Sequence, residues 1–496
     1  NGSYDWGLVG AFYRVSYSYK GKYLLEASGR YDGNSKFPSN QRWGFFPSGS
    51  VGWRISEENF MKNANWLDNL KIRASVGSAG NGLISDAYAY LSTRSIAQSS
   101  LLNNGSVFNY TQAPSPIPKS LTWEKATTYD LGLDFEAFNG RLNFSADIYR
   151  KKTTDMYVVG EELPAVFGNS APKGNYADMR TDGWEASLSW RDSHKVAGKT
   201  LSYNIKVAVW DNTSKITRYT AKTGTLPTNY SINYYEGMTL GEMWGYKCDG
   251  LFQSDEEAQT WANYSKFTNR SATWQAGDPR YLDLNGDGYV NNGNNTIYDH
   301  GDLVKIGNTT PRYSYSIQGG VRWNGIGISM MWQGVGKRDW YPAKESGYFW
   351  GQYGRPYSMA LPWHNSDRWS PTNRGAYWPR LVGYSASDSG LILAQPNTRY
   401  VQDASYIRLK NITIDYTFPK HICKKLRLEG LKVYLSGENL FTHSPMFKHT
   451  DMFDPEVITS GDSDFAASTT SGLNGTGNGY SYPMLKTVTL GINVTF

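Results

Sequence analysis

The chain closes on LKTVTLGINVTF, residues 485–496. Val488, Leu490, Ile492, Val494 and Phe496 alternate there with Thr487, Thr489, Gly491, Asn493 and Thr495. A strand sends successive side chains to opposite faces, so this segment has one apolar face and one small, polar face. A soluble antiparallel strand shows that pattern when one face covers a core. A membrane-spanning strand shows it too, with lipid on one side and a wet lumen on the other. The rest of the chain has to separate the two.

The alternation recurs from end to end. In 141–149, Leu142, Phe144, Ala146 and Ile148 oppose Asn143, Ser145 and Asp147. In 201–210, Leu201, Tyr203, Ile205, Val207 and Val209 oppose Ser202, Asn204 and Lys206. In 312–323, Tyr313, Tyr315, Ile317, Val321 and Trp323 oppose Arg312, Ser314, Ser316, Gln318 and Arg322. In 408–418, Ile412, Ile414, Tyr416 and Phe418 oppose Asn411, Thr413, Asp415 and Thr417. Similar segments lie near 8–19, 22–31, 44–55, 68–77, 124–138, 182–191, 326–337 and 431–440. With the last strand they number about thirteen, each near the length that a tilted strand needs to cross a bilayer.

The connections alternate in length. Short ones fall at Gly21, 56–67, Asn139-Gly140, 192–199, Asn324-Gly325 and 419–430. Long ones occupy 32–43, 78–123, 152–181, 212–309, 338–404 and 441–484. Asn-Gly between alternating segments is a strong hairpin signal. Tight turns at one end and long loops at the other are the pattern of an outer-membrane barrel, with periplasmic turns and extracellular loops. The expected fold is therefore all-β, a transmembrane antiparallel up-and-down β-barrel, with residues 1–496 forming one part of it. The C-terminus is expected on the periplasmic side. Because bacterial barrels have an even strand number, an odd number of strands is expected before residue 1. Aromatics fit a girdle: ten residues from Tyr313 to Trp323, at about 3.4 Å each and a tilt of roughly 40°, climb about 26 Å. Trp184 and Trp190 bracket another strand.

Composition agrees. The 496 residues include 37 Tyr, 18 Trp and 51 Gly, a mix that suits strands and turns. No run of roughly 18 apolar residues is present, which excludes a spanning helix and leaves a barrel open. A net charge of +6 with scattered Lys and Arg gives little support to nucleic-acid binding. Two cysteines, Cys248 and Cys423, form no disulfide framework or CxxC metal pair. They are expected on opposite sides of the membrane.

Several stretches resemble the C-terminal half of SusC-like (SusC/RagA) TonB-dependent transporters of Bacteroidota outer membranes. They are Arg30-Tyr31-Asp32-Gly33, TWEKATTYDLGLDFEAFNGRLNFSADIYRKKTTDMY (122–157), EGMTLGEMWGYKCDGLFQS (236–254), DLNGDGYV (283–290), SYIRLKNITIDYTFP (405–419) and SGENLFT (436–442). The resemblance implies a 22-stranded barrel of which this chain holds the C-terminal ~13 strands. It implies an N-terminal plug, a SusD-like surface lipoprotein as lid, and energy from the TonB complex acting on a region absent from this sequence. Membrane lipid and lipopolysaccharide would surround the barrel. The implied function is import of a nutrient oligomer, an oligosaccharide, without catalysis. The terminal Phe496 resembles the outer-membrane assembly signal.

Two sets of residues stand out as candidate sites. Asp283, Asn285 and Asp287, followed by Gly288, match the opening of a Ca²⁺ loop, and the Tyr289 carbonyl could add an oxygen. Position 12 is Asn294 where such loops carry Glu, so Asp299 or Asp302 would have to close the site. The alternative is an Asx-rich turn that needs no ion. The long loops also carry Tyr234, Tyr235, Trp244, Trp350, Tyr353, Trp363, Trp369 and Trp378. Such rings suit ligand or partner contacts and also packing of loops on each other, and packing or a partner contact is the expectation for most of them. Inward polar residues, among them Asp134, Glu136, Asn143, Asp147, Glu185 and Lys206, would line the lumen. No HExxH, G-x-S-x-G or Walker A pattern is present, and no catalytic residue is assigned. Two other functions stay open: uptake of peptides or metal chelates on the same scaffold, and a secreted all-β carbohydrate-binding or glycan-cleaving protein. A non-transporting adhesin barrel is a third.

Overall fold

The computed structural model describes residues 5–496 except 83, 85–88, 113, 115, 119, 162, 169–170, 221–223, 228–232, 263–273, 344–345, 355–357, 383–385, 387–391, 394–395 and 459–480. Of the expected long connection 441–484, residues 459–480 thus lie outside the described ones. In chain order the strands begin with β1 (Leu8–Tyr19), β2 (Tyr23–Asn34), β3 (Trp43–Arg54) and β4 (Leu67–Asn81). A loop hairpin follows, β5 (Ile96–Asn103) and β6 (Ser106–Thr111), then β7 (Glu124–Ala137), β8 (Leu142–Val159), β9 (Lys173–Val196) and β10 (Lys199–Tyr219). The next loop holds β11 (Glu242–Tyr246), β12 (Cys248–Leu251), β13 (Pro279–Tyr281) and β14 (Leu303–Asn308). Then come β15 (Arg312–Trp323), β16 (Ile326–Lys337), the loop strands β17 (Asp339–Trp340) and β18 (Gln402–Asp403), and β19 (Tyr406–Thr417), β20 (Gly430–His443) and β21 (Thr487–Thr495). One sheet of 13 strands runs β1-β2-β3-β4-β7-β8-β9-β10-β15-β16-β19-β20-β21. Each alternating segment of the sequence is a strand of that sheet. Among the described residues, no helix is long and apolar enough to cross a membrane.

The chain sorts into two compact units, one of residues 1–186, 212–223 and 235–239, the other of 187–211, 224–234 and 240–496. Within the first, register sets Tyr17, Leu25, Val51, Ala74, Leu131 and Ile148 in one row across six strands. The next row on that face is Tyr19, Tyr23, Trp53, Ile72, Leu133 and Ala146. On the opposite face Ser18, Leu24, Gly52, Arg73, Gly132 and Asp147 align.

The second unit repeats this division. Leu201, Trp323, Ile326, Tyr416, Val433 and Ile492 form one outer row. Ile205, Gly319, Met330, Ile412, Gly437 and Val488 form another. Asn204, Gly320, Ser329, Thr413, Ser436 and Thr489 share the inner face. Val488, Leu490 and Ile492 are 66%, 73% and 66% exposed, so the apolar face of the last strand covers no protein core.

Register is pinned by the turns. Asn324 and Gly325 both take positive φ, 48° and 88°, as a two-residue hairpin that follows the strand twist requires. The turn expected over 192–199 contracts to Ala197-Gly198, because β9 and β10 stay paired to that point. At the other end β8 and β9 outrun the expected segments and shorten the 152–181 connection to 160–172. Many of their added residues are polar or β-branched, and continued pairing satisfies backbone groups that a loop would leave to water.

The largest buried side chains lie in the loops. Trp340, Tyr341, Phe349, Trp350, Tyr353, Trp378 and Tyr400 are at most 1% exposed, and all belong to the 338–404 connection. A smaller cluster, Phe37, Phe46, Ile84, Leu121 and Trp123, packs in the first unit. Two 3₁₀ turns, Ile55–Glu57 and Asn59–Met61, and a helix, α1 (Lys420–Lys425), fill the two longer turns.

Candidate functional site

The inner face of the first unit carries a lattice of paired charges. Arg73 on β4 reaches Asp147 on β8 at 2.6 Å and Asp134 and Asp130 on β7 at 3.3 and 3.4 Å. Lys71 meets Asp134 at 3.1 Å, and Arg14 meets Glu26 at 2.8 Å. Strand alternation puts these residues on one face, and register sets Lys71 opposite Asp134 and Arg73 opposite Gly132. Gly132 makes the lattice possible. A Cβ there would lie 2.4 Å from the Arg73 guanidinium carbon and 2.5 Å from an Asp147 oxygen. Beside the lattice lies a cavity of about 420 Å³ lined by Ser16, Glu26, Ser50, Lys71, Arg73 and Asp130. Of the other expected inward residues, Asn143 pairs with Glu136 across β7 and β8, and Lys206 pairs with Gln318. Glu185 is an exposed residue of β9.

The second unit has its own inner pairs. Asp415 accepts from Arg322 at 2.8 Å, with Lys432 at 3.4 Å, above Gly327. Asn411, Thr413 and Ser436 exchange hydrogen bonds at 2.9–3.1 Å. Higher up, Arg408 binds Asp454 at 2.6 Å and Glu456 at 2.5 Å, while Lys410 takes Glu456 at 3.0 Å. The buried Arg338 donates to the Pro455 carbonyl at 3.0 Å. A segment of the last long loop is thereby clamped to β19. The sequence reading missed that clamp, for which Asp454-Pro455-Glu456 was the available signal.

Most of the loop aromatics are not free to meet a ligand. Tyr235, Trp244, Trp350, Tyr353 and Trp378 are all under 9% exposed. Trp378 lies within 6.2 Å of the rings of Phe349, Trp350, Tyr353, His364 and Tyr400. These five pack in the interior of the loops, where large rings are worth most buried against each other. Trp363 and Trp369 are half-buried and Tyr234 is exposed. His364 was also missed. Its Nε2 meets the Phe349 carbonyl at 2.8 Å, and burial pushes its pKa down to about 4. Asp278 pairs with Arg380 at 2.6 Å, yet burial still holds its pKa above the usual carboxylate range.

The Asp283 loop is closed by its own amides. Asp283 accepts from the Gly286 and Gly288 N–H groups at 2.7 and 2.9 Å. Asn285 accepts from the Asp287 N–H, and Asp287 from the Tyr289 N–H at 2.7 Å. Asp302 does close on this loop, fully buried, by accepting from Leu284 at 2.7 Å and Asn291 at 2.8 Å. Asp299 instead accepts from Asn294. Among the described residues, no three His, Cys, Asp or Glu side chains gather in a metal-holding cluster. Cys248 and Cys423 are free thiols, and burial raises the pKa of Cys248.

A sheet with an exposed apolar face and an ion-paired, hydrogen-bonded reverse is the wall of a transmembrane β-barrel. Residues 2–440 match the family described as TonB dependent receptor-like, beta-barrel, and the chain belongs to that family. It is similar to TonB-dependent receptor P26 of Formosa agariphila, 29% identical over 502 residues, covering 98% of this chain and 46% of that protein. It is similar to TonB-dependent receptor SusC of Bacteroides thetaiotaomicron, 26% identical over 509 residues, covering 99% of this chain and 44% of SusC. Among solved structures the RagAB peptide transporter superposes with a TM-score of 0.71 at 19% identity, covering 99% of this chain and 48% of that one. The chain spans about half the length of the curated relatives it matches.

Proposed function

We propose that this chain is the C-terminal barrel wall of a TonB-dependent importer in the bacterial outer membrane, carrying a nutrient oligosaccharide with a SusD-like lipoprotein. The observation that carries the reading is the division of faces repeated across the register-matched strands of each unit, mostly apolar and exposed outside, mostly polar and paired within. In this orientation the tight turns and C-terminus are periplasmic and the long loops extracellular. The TonB complex acts through a region outside this sequence. The wall contributes a rigid, edge-free surface, because backbone groups in lipid must all be paired.

The inner surface supports a neutral, polar cargo. Its charges are largely spent on each other, while Ser28 and Ser48, Thr413, Ser436 and Asn411 present hydroxyls and amides. Such groups exchange hydrogen bonds with sugar hydroxyls at little cost. The second reading is peptide uptake, favoured by the fold shared with the RagAB peptide transporter. Growth of a deletion strain and its complemented parent on panels of glycans and of peptides separates the two. A defect confined to glycans is expected. A defect confined to peptides overturns the oligosaccharide assignment. A full-length protein that stays folded in buffer without detergent overturns the importer altogether.

A further inference from the structure

We propose that Arg150, Lys152 and Arg180 form a binding patch for the phosphate groups of lipid A, at the outer rim of the β7–β8–β9 wall. The inference rests on the membrane orientation proposed above. On β8 the lipid-facing column reads Phe144, Ala146 and Ile148, then Arg150 and Lys152. Their register partners on β7 are Phe135, Leu133, Leu131, Tyr129 and Thr127. On β9 the column with the exposed Trp184 continues upward to Asp182 and Arg180. Two neighbouring strands, β8 and β9, thus change from apolar to basic at one level, joined there by the Arg150–Asp182 pair, while β7 passes from leucine to Tyr129 and Thr127. The acidic residues Asp130, Asp134 and Asp147 of the same strands turn inward to Arg73 and Lys71.

The level is the headgroup boundary. Phe138 and Trp66, 42% and 51% exposed with ring centroids 6.0 Å apart, mark the lower girdle. Nine residues separate Phe138 from Tyr129; at about 3.4 Å each and a tilt of roughly 40° they climb about 23 Å, close to the height of a barrel's apolar band. Arg150 sits at the top of that band and Lys152 one step above it.

The patch has a positive surplus. A single carboxylate, Asp182, serves both Arg150 at 2.5 Å and Arg180 at 3.0 Å, and the two guanidinium side chains remain 51% and 40% exposed. Lys152 lies 5.8 Å from the Tyr129 ring centroid and has no carboxylate partner among the described residues. Hydrocarbon cannot compensate such charges. Phosphate can, and a guanidinium fork matches it in a bidentate fashion. The anionic lipid of the outer leaflet, lipid A, presents phosphates at this height.

The test uses the full-length transporter purified from outer membranes and stripped of bound lipid. Native mass spectrometry then follows titration with lipid A or with dephosphorylated lipid A. Retention of lipid A and not of its dephosphorylated form is expected. The triple variant Arg150→Gln/Lys152→Gln/Arg180→Gln should bind about 100-fold more weakly, at about fivefold per charge removed. Asp182→Asn should bind about fivefold more tightly. Heat-modifiable gel mobility verifies folding; should the triple variant not fold, Lys152→Gln alone carries the test at about fivefold. Equal retention of both lipids, or unchanged affinity in the variants, overturns the patch while leaving cargo uptake intact. Loss of the importer reading shows separately, as normal growth of the deletion strain on every cargo.

Discussion

Replacing Val488 by arginine places a charge on the face assigned to lipid, and Thr489→Arg places the same charge one residue away on the lumenal face. Val488 shares its row with Gly437, Ile412, Met330, Gly319 and Ile205, and is 66% exposed. The girdle row of Trp323, Tyr416 and Ile492 lies four residues below. At about 3.4 Å per residue and a tilt of roughly 40°, Val488 stands about 10 Å above the girdle, near the middle of a band about 25 Å tall. Arginine at that depth costs about 2–4 kcal/mol. The folded-to-unfolded ratio should therefore fall roughly 30-fold to nearly 1,000-fold. Thr489 lies opposite Ser436 and in line with Thr413, so arginine there meets a wet, polar surface and should shift stability by no more than about 0.5 kcal/mol. The assay is guanidinium unfolding of the full-length protein in phospholipid vesicles, read by tryptophan fluorescence and by heat-modifiable mobility. In a soluble sheet the exposed Val488 face would meet water, and both substitutions would be benign. Val488→Arg as benign as Thr489→Arg, or the reverse order of damage, refutes the lipid-facing assignment.

Four further outcomes are expected. Trp378→Ala should loosen the 338–404 layer by about 3–5 kcal/mol and leave the barrel strands intact, seen as protease cleavage confined to that connection. His364 gives the same layer a pH dependence. Its neutral ring is the folded form with a pKa down at about 4, so the unfolded segment binds the extra proton. Stability is complete above about pH 6.5 and is lost as pH falls toward 4, by up to about 3 kcal/mol. Burial also lowers the pKa of His449, which adds in the same direction. Hydrogen exchange of the layer at pH 7 and pH 5 checks this, and His364→Gln should flatten the difference. Gly132→Ala should force the Arg73–Asp147 pair apart and cost about 1–3 kcal/mol in thermal unfolding. The calcium reading of the Asp283 loop requires the remaining lone pairs of its carboxylates to converge on an ion. It predicts a thermal midpoint that rises in millimolar Ca²⁺, an increment lost in Asp287→Asn; an unchanged midpoint leaves an Asx-rich turn.

The strands were legible because their signal is local. Period-two alternation and Asn-Gly turns placed all 13 strands of the sheet, since slipping one residue would carry Val488 and Ile412 to the wet face and Thr489 and Thr413 to the greasy one. What the loops do was not legible. For Trp350, Tyr353 and Trp378 the sequence leaves contact and packing both open, because it does not show which distant residues cover each ring. Their cover comes from His364 and Tyr400, which reach them only through the tertiary path of a long connection. Spacing offers Asp299 or Asp302 to close on the Asp283 turn, but it cannot choose between them or tell a carboxylate that binds an ion from one that, like Asp302, binds the Leu284 and Asn291 amides. The basic rim was overlooked for another reason. Alternation identifies which side chains face lipid, but it does not ask where along a strand the facing residues stop being apolar. On β8 that break falls between Ile148 and Arg150. In a barrel wall the break carries positional information that a soluble sheet lacks, because the hydrocarbon edge forces every strand to change character at the same height.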